Sequence, residues 1–162
     1  MAKTILTLAC IIATATSVQA QEWVVGAGYE DFSDPVSIDQ GILTFEYHFE
    51  PYHKRERFSA GFAGMLSVDG EADVFAGIGV AGVYKLKEGW FVEGSVMPGA
   101  YFESTQENDL GSRFEIRSLI GIGYTLASGN QISLAATHKS NASTADKNPG
   151  VNAIMIRFRS AF

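Results

Sequence analysis

Cysteine is all but missing from these 162 residues; the single one is Cys10. Beyond residue 20 there is therefore no thiol for a disulfide, a thiolate nucleophile or a cysteine metal site. Histidine is scarce, with three residues, and His48 and His53 have no ligand partners at metal-site spacing, so no metal is expected. Proline is limited to four. Long apolar runs are absent after residue 20, which excludes a transmembrane helix because spanning takes ~20 apolar residues. A basic excess is missing too. Twelve Lys and Arg face 18 Asp and Glu, a balance that argues against a nucleic-acid partner.

The one apolar run stands at the start. Lys3 supplies a positive charge, an apolar stretch follows from Ile5 to about Ala13, and Val18-Gln19-Ala20 is a small-x-small pattern. Residues 1–20 read as a secretory signal peptide cleaved after Ala20. The run is too short for a membrane anchor. A lipoprotein reading of Leu8-Ala9-Cys10 would leave almost no apolar region before the cleavage, and Thr7 sits where an aliphatic residue is expected. The mature chain would be residues 21–162, one domain. Cleavage removes Lys3 and no acid, so 11 basic residues face 18 acids, a formal charge of −7.

What the chain does have is alternation. It is rich in glycine, phenylalanine and tyrosine, with 17, 11 and 6 residues, and the period of two that marks strands recurs eight times. The expected strands are Trp23 to Tyr29, Ile42 to Phe49, Phe58 to Leu66, Val74 to Tyr84, Trp90 to Phe102, Phe114 to Leu126, Ile132 to Ser140 and Asn152 to Phe162. In the sixth, Phe114, Ile116, Ile120, Ile122, Tyr124 and Leu126 share a parity against Glu115, Arg117, Gly121, Gly123 and Thr125. Pro98 marks a bend or bulge in the fifth. Connections 30–40, 67–72, 103–112 and 141–150 are polar, acidic or rich in Gly and Asn, whereas 87–89 and 128–131 are tight. The basic connection 50–57 reads as a solvated turn.

An even strand count, with longer loops at one end and shorter turns at the other, is the scheme of an outer-membrane barrel. The expected fold is all-β, an eight-stranded antiparallel transmembrane β-barrel of the bacterial outer membrane, over residues 21–162. The last strand adds to this. Ile154, Ile156, Phe158 and Phe162 share one face, and an aromatic terminus after alternating apolar residues resembles the recognition signal of such barrels. Arg157 and Arg159 take the opposite parity, which suits a polar lumen and would be costly toward lipid. With Glu115 and Arg117 they are expected to form lumen ion pairs, because eight strands leave an interior filled by side chains. Trp23, Trp90, Tyr47, Tyr124 and Phe162 read as interface aromatics. A soluble barrel or sandwich would show the same alternation with the apolar face turned inward.

Parity also isolates a polar cluster. On strand seven, Ile132, Leu134 and Ala136 form the lipid face, and His138 and Ser140 continue it. On strand eight, Ile156 and Ile154 form that face and Asn152 continues it. These three side chains should meet outside the barrel, at the loop end of two paired strands. Either the strands leave the hydrocarbon there, or the cluster is a hydrolytic site. In the second case Ser140 is the nucleophile, His138 its base, and Asn141 with the N–H groups after it the oxyanion donors.

The stretch His138-x-Ser140-Asn141-Ala142, followed by Asn148-Pro149-Gly150, resembles the lipid A 3-O-deacylase (PagL) family. Phe91-Val92-Glu93-Gly94 and Leu110-Gly111-Ser112 extend the likeness from about residue 91 to the end. The first half matches in architecture only. The resemblance implies removal of the ester-linked 3-hydroxyacyl chain of lipid A, in lipopolysaccharide, at a lipid-facing site on the outer barrel surface. It implies His138 as base, Ser140 as nucleophile, Asn152 at the orienting position, and Asn141 and Ala142 at the oxyanion and substrate-binding positions. No metal or cofactor is implied. The partners expected are lipid A and the membrane itself; a homodimer is left open.

One position departs from the family. Its characterised members carry Glu where this chain has Asn152. An amide oxygen can still accept from the imidazole, but it carries no charge to set against an imidazolium. In a serine protease the acid-to-amide change costs ~10⁴ in kcat, about 5.5 kcal/mol of barrier. Asp146, in the same loop, is the other acid, without support from its spacing. The rival function is a non-catalytic small outer-membrane barrel, either a degenerate relative or an OmpX-like surface protein.

Overall fold

A computed structural model describes residues 21–33 and 36–162. The expected signal peptide, residues 1–20, lies outside the described residues. Eight long strands follow one another: β1 (Glu22–Phe32), β2 (Gln40–His48), β3 (Phe58–Asp69), β4 (Val74–Lys85), β5 (Trp90–Phe102), β6 (Phe114–Thr125), β7 (Gln131–Ser140) and β8 (Val151–Ala161). A two-residue ribbon, His53–Lys54, lies on β3, and a 3₁₀ turn covers Gln106–Asn108. Each long strand pairs antiparallel with its neighbours in sequence. β8 returns to pair with β1 from Glu22↔Ala161 to Phe32↔Val151. The sheet therefore closes into a barrel with no free edge among the long strands. Among the described residues no helix is long and apolar enough to cross a membrane; the strands, 9 to 13 residues each, meet the ~9–11 that a tilted spanning strand needs.

Expected and observed strands differ at their ends by a few residues. The parity does not change, because pairing continues past the last apolar residue. β1 runs on through Glu30, Asp31 and Phe32, which a purely apolar reading ends at Tyr29. Pro98 is not a bulge. The pairing of β4 with β5 skips the stretch between Gly77↔Gly99 and Val80↔Val96 without inserting a residue, since proline has no N–H to give the ladder.

Parity now has a direction. Ile120 is 71% exposed and Ile154 65% exposed, values that large apolar side chains reach in quantity only where another phase covers them. The arginines turn inward, with Arg157 2% and Arg159 6% exposed. That excludes the soluble sandwich, which needs the reverse. Aromatic contacts collect at the turn end of the barrel: Trp23 with Phe158, Tyr47 with Phe49, and Trp90 with Tyr124. This is the placement expected of a membrane-interface belt.

The lumen is a charge lattice. Glu46 meets Arg117 at 3.0 Å, Arg157 at 2.7 Å and His48 at 2.8 Å. Glu93 meets Arg157 at 2.6 Å and Arg159 at 2.7 Å, and Ser133 Oγ donates to it at 2.6 Å. Arg159 reaches on to Glu22 at 3.0 Å. These ions are shut off from water but mutually compensated, the condition under which buried charge is tolerated. Glu115 departs from the expectation. It is buried without an ion pair among the described residues, because the lumen arginines sit nearer the turn end and are held by Glu46 and Glu93.

Glu46 shares Arg157 with Glu93 but is the carboxylate that pairs with Arg117, so removing its charge leaves Arg117 buried without a counter-ion among the described residues. Glu46→Gln is expected to destabilise the folded barrel by about 3–5 kcal/mol. Reversible urea unfolding in lipid vesicles, followed by tryptophan fluorescence, measures this. An outward-facing Leu43→Val control should cost far less.

Candidate active site

β7 and β8 carry the expected cluster on the outside of the barrel. The register sets His138 opposite Asn152, and His138 Nδ1 lies 2.9 Å from Asn152 Oδ1. An amide oxygen only accepts, so in this contact Nδ1 is the donor, and a neutral imidazole held this way keeps its lone pair on Nε2. Ser140 follows two residues on along the same face of β7. His138 and Asn152 are exposed and Ser140 half-exposed. The residue between base and serine, Lys139, points the other way. Its Nζ lies 3.6 Å from Glu30 and 4.6 Å from the centre of the Tyr101 ring. The strand is thus pinned from within at the point where it presents polar groups outside.

The loop after Ser140 is built around Asn141, which is completely buried. Its Nδ2 donates to the carbonyls of Leu110 at 3.0 Å and Lys147 at 2.7 Å. Its backbone N–H donates to Asn148 Oδ1 at 3.0 Å, and its carbonyl accepts from Thr144. Every N–H of Asn141 is therefore committed to holding the loop. The expected oxyanion role of its side chain does not fit this arrangement, because both N–H groups of the amide are already given to the Leu110 and Lys147 carbonyls. Ala142 and Ser143 follow with φ of 54° and 60°. Two consecutive non-glycine residues in the left-handed region cost energy and persist only where surrounding contacts enforce them. Both residues are exposed, shortly after Ser140 in the chain, and their N–H groups have no protein acceptor among the described residues.

Two glycines make the arrangement fit. Gly150 has φ +71°, and a Cβ there would lie 3.0 Å from His138 Cε1; its absence leaves room for the imidazole. Gly111 has φ +90°, and a Cβ there would lie 2.0 Å from the Lys147 carbonyl oxygen. That contact seats the 103–113 connection against the 141–150 loop. The other loops are tied in as well. Ser33 N donates to the Gly150 carbonyl, Ile38 N to Asn108 Oδ1, and Asn108 Nδ2 to Asp73 Oδ2 at 2.7 Å. Tyr101 OH also donates to Asp73.

Asp146 is exposed and makes no contact with His138 or Asn152. The acid that does stand beside the site is Asp31, whose register partner on β8 is Asn152. The parity argument applied to strands seven and eight would have found it if carried past Tyr29 on strand one. Among the described residues no group of three His, Cys, Asp or Glu is placed to hold a metal.

The family model described as Lipid A 3-O-deacylase (PagL) matches residues 40–161, which takes in the whole of β2 to β8. No curated protein sequence matches the chain. The crystal structure of the outer membrane enzyme PagL is similar over 85% of this chain and 97% of that one, at 15% identity and a TM-score of 0.69. A de novo designed transmembrane β-barrel covers 88% and 94% of the two chains, at 8% identity and 0.59. Neisserial surface protein A (NspA) covers 88% and 97%, at 8% identity and 0.56. At these identities the structural likeness is one of fold.

The contact at Gly111 carries a measurable consequence. Gly111→Ala puts a methyl group into the Lys147 carbonyl and adds strain at a left-handed position, so the 141–150 loop must shift. The expected result is a barrel that still folds, with faster limited proteolysis confined to that loop.

Proposed function

The chain belongs to the lipid A 3-O-deacylase (PagL) family, an outer-membrane β-barrel hydrolase, and from that premise we propose that it removes the 3-O-linked 3-hydroxyacyl chain of lipid A by serine catalysis on its outer wall. The observation that carries the reading is the His138–Asn152 hydrogen bond. It orients an imidazole on the lipid-facing side of the barrel, two residues from a serine of the same parity.

The steps follow from that geometry. Ser140 Oγ attacks the ester carbonyl while His138 Nε2 takes its proton. The tetrahedral oxyanion forms beside the N–H groups of Ala142 and Ser143, which are fixed in place by the buried Asn141 and so need little reorganisation. Collapse expels the sugar oxygen, which takes the proton from His138, and leaves the acyl chain on Ser140. Water, deprotonated by the same imidazole, then releases the 3-hydroxy fatty acid and regenerates the serine. Beneath His138 the wall is apolar. A shallow hollow of about 360 Å³ opens among Ile120, Leu134, Ala136 and Ile154, where hydrocarbon can lie with its ester at the depth of Ser140.

A second reading is a family member without activity. It is favoured by Asn152 at the acid position and by the absence of a hydrogen bond between His138 and Ser140 among the described residues. Two experiments separate the readings. Expression in a host with intact lipid A should remove the mass of one 3-hydroxyacyl chain, seen by mass spectrometry of extracted lipid A. Ser140→Ala should abolish the change without unfolding the barrel. A folded wild type with the same lipid A profile as Ser140→Ala would sink the catalytic reading.

Asn152→Glu tests the departure itself. A carboxylate adds charge stabilisation of the imidazolium, so kcat should rise by about tenfold or more, bounded by the ~10⁴ that an acid-to-amide change costs elsewhere. An inactive relative would show no response.

A further inference from the structure

A carboxylate accepts a hydrogen bond equally well at either oxygen, whereas an amide has two different ends. If Asn152 turned its NH₂ toward His138, the imidazole would have to accept at Nδ1. Its proton would then sit on Nε2, the atom that must receive the Ser140 proton. An Asn at this position therefore needs a neighbour that decides which way it faces. Resting on the reading of Ser140, His138 and Asn152 given above, we infer that Asp31 is that neighbour, a positioning residue that holds the Asn152 amide with its oxygen toward His138.

The outward face of β1 runs Trp23, Val25, Ala27, Tyr29 and then Asp31, which is exposed. A charge that ends an apolar, lipid-facing row is costly near hydrocarbon, and the Asp31 carboxylate makes no ion pair or hydrogen bond with the described residues. Its register partner is Asn152, whose partner on the other side is His138. The three side chains thus form one row across β1, β8 and β7. Asn152 sits in the middle, with Oδ1 toward β7 and Nδ2 without a protein acceptor among the described residues.

Directly opposed residues on paired strands have Cβ atoms ~4.5–5.5 Å apart, a span that a carboxylate and an amide bridge by rotation about their side-chain torsions. No hydrogen bond joins Asp31 to Asn152 in this structure; closing it takes a change of rotamer at the barrel surface. The next acid along the row, Asp39, is already engaged by the Phe32 N–H at 2.9 Å. An ionised Asp31 only accepts, so it selects the amide's NH₂ and leaves the oxygen for the imidazole. It also places a negative charge two strands, or roughly 10 Å, from the imidazolium that forms in the transition state.

The test is kinetic, on the full-length protein in lipid A-containing vesicles. Asp31→Asn should lower kcat about tenfold, the scale of one charge-assisted hydrogen bond, without raising KM, and Asp31→Glu should retain most of the rate. In an Asn152→Glu background the orienting requirement disappears, because a carboxylate has no wrong end, so Asp31→Asn should then cost far less than in the wild-type background, leaving only the weak effect of a charge ~10 Å away. Heat-modified migration on gels verifies that each variant is folded. Asp31→Asn at the wild-type rate, or an equal loss in both backgrounds, would overturn the positioning role. A folded wild type no more active than Ser140→Ala would instead overturn the reading of the site, and this inference with it.

Discussion

Hydrocarbon offers a peptide group no hydrogen-bond partner, so a sheet that stands in it must supply every partner itself. In this chain that requirement is met by the return of β8 to β1, which leaves the long strands no open edge. Closure then fixes the rest. With eight strands the interior is too narrow to stay empty, so each strand sends one parity inward to fill it. The inward parity carries Glu46, Glu93, Arg117, Arg157 and Arg159, compensated in a single lattice. The outward parity is left mainly with apolar and aromatic side chains, and His138, Ser140 and Asn152 break it where β7 and β8 approach their loop.

Those breaks are where function is legible. Strand parity is a strict rule, and a residue that keeps the outward parity while changing from apolar to polar is therefore informative. His138, Ser140 and Asn152 stood out in the sequence on that ground alone, and the structure sets them on the outer wall at the end of β7 and β8. Asp31 obeys the same rule. It escaped notice because strand one was read as ending at its last apolar residue, whereas the ladder continues for three more. Strand position was legible because it depends on a local period. Strand length was less so, because ladder bonds continue regardless of what the side chains prefer.

The loops resisted a sequence reading for a different reason. The expected oxyanion role of Asn141 came from its place beside Ser140, but its hydrogen bonds run to Leu110 and Lys147, partners whose nearness is decided by how two separate loops dock. In the sequence Gly111 and Gly150 are simply loop glycines; only the structure pairs Gly111 with the Lys147 carbonyl and Gly150 with the His138 ring. The same holds for Glu115. Its parity placed it in the lumen correctly, while its lack of an ion pair depends on how far along the barrel axis the arginines sit.

A site on the outside of a barrel inverts the usual economy of catalysis. An enzyme in water encloses its reacting groups; in the proposed reaction the wall need only hold polar groups in register at the edge of the hydrocarbon, within reach of the water that hydrolysis consumes. The cost is that each such group is exposed to a medium that penalises charge. An amide at position 152 lowers that penalty relative to a carboxylate, since it is neutral when the imidazole is neutral. The gain is offset by the loss of both symmetry and charge at the atom that orients His138. In the proposed arrangement, the orienting charge is supplied by a carboxylate one strand further away, at Asp31, the register partner of Asn152. On that proposal the amide at 152 and the acid at 31 belong together: the charge is moved along the row, and the amide between them passes its orienting effect to His138.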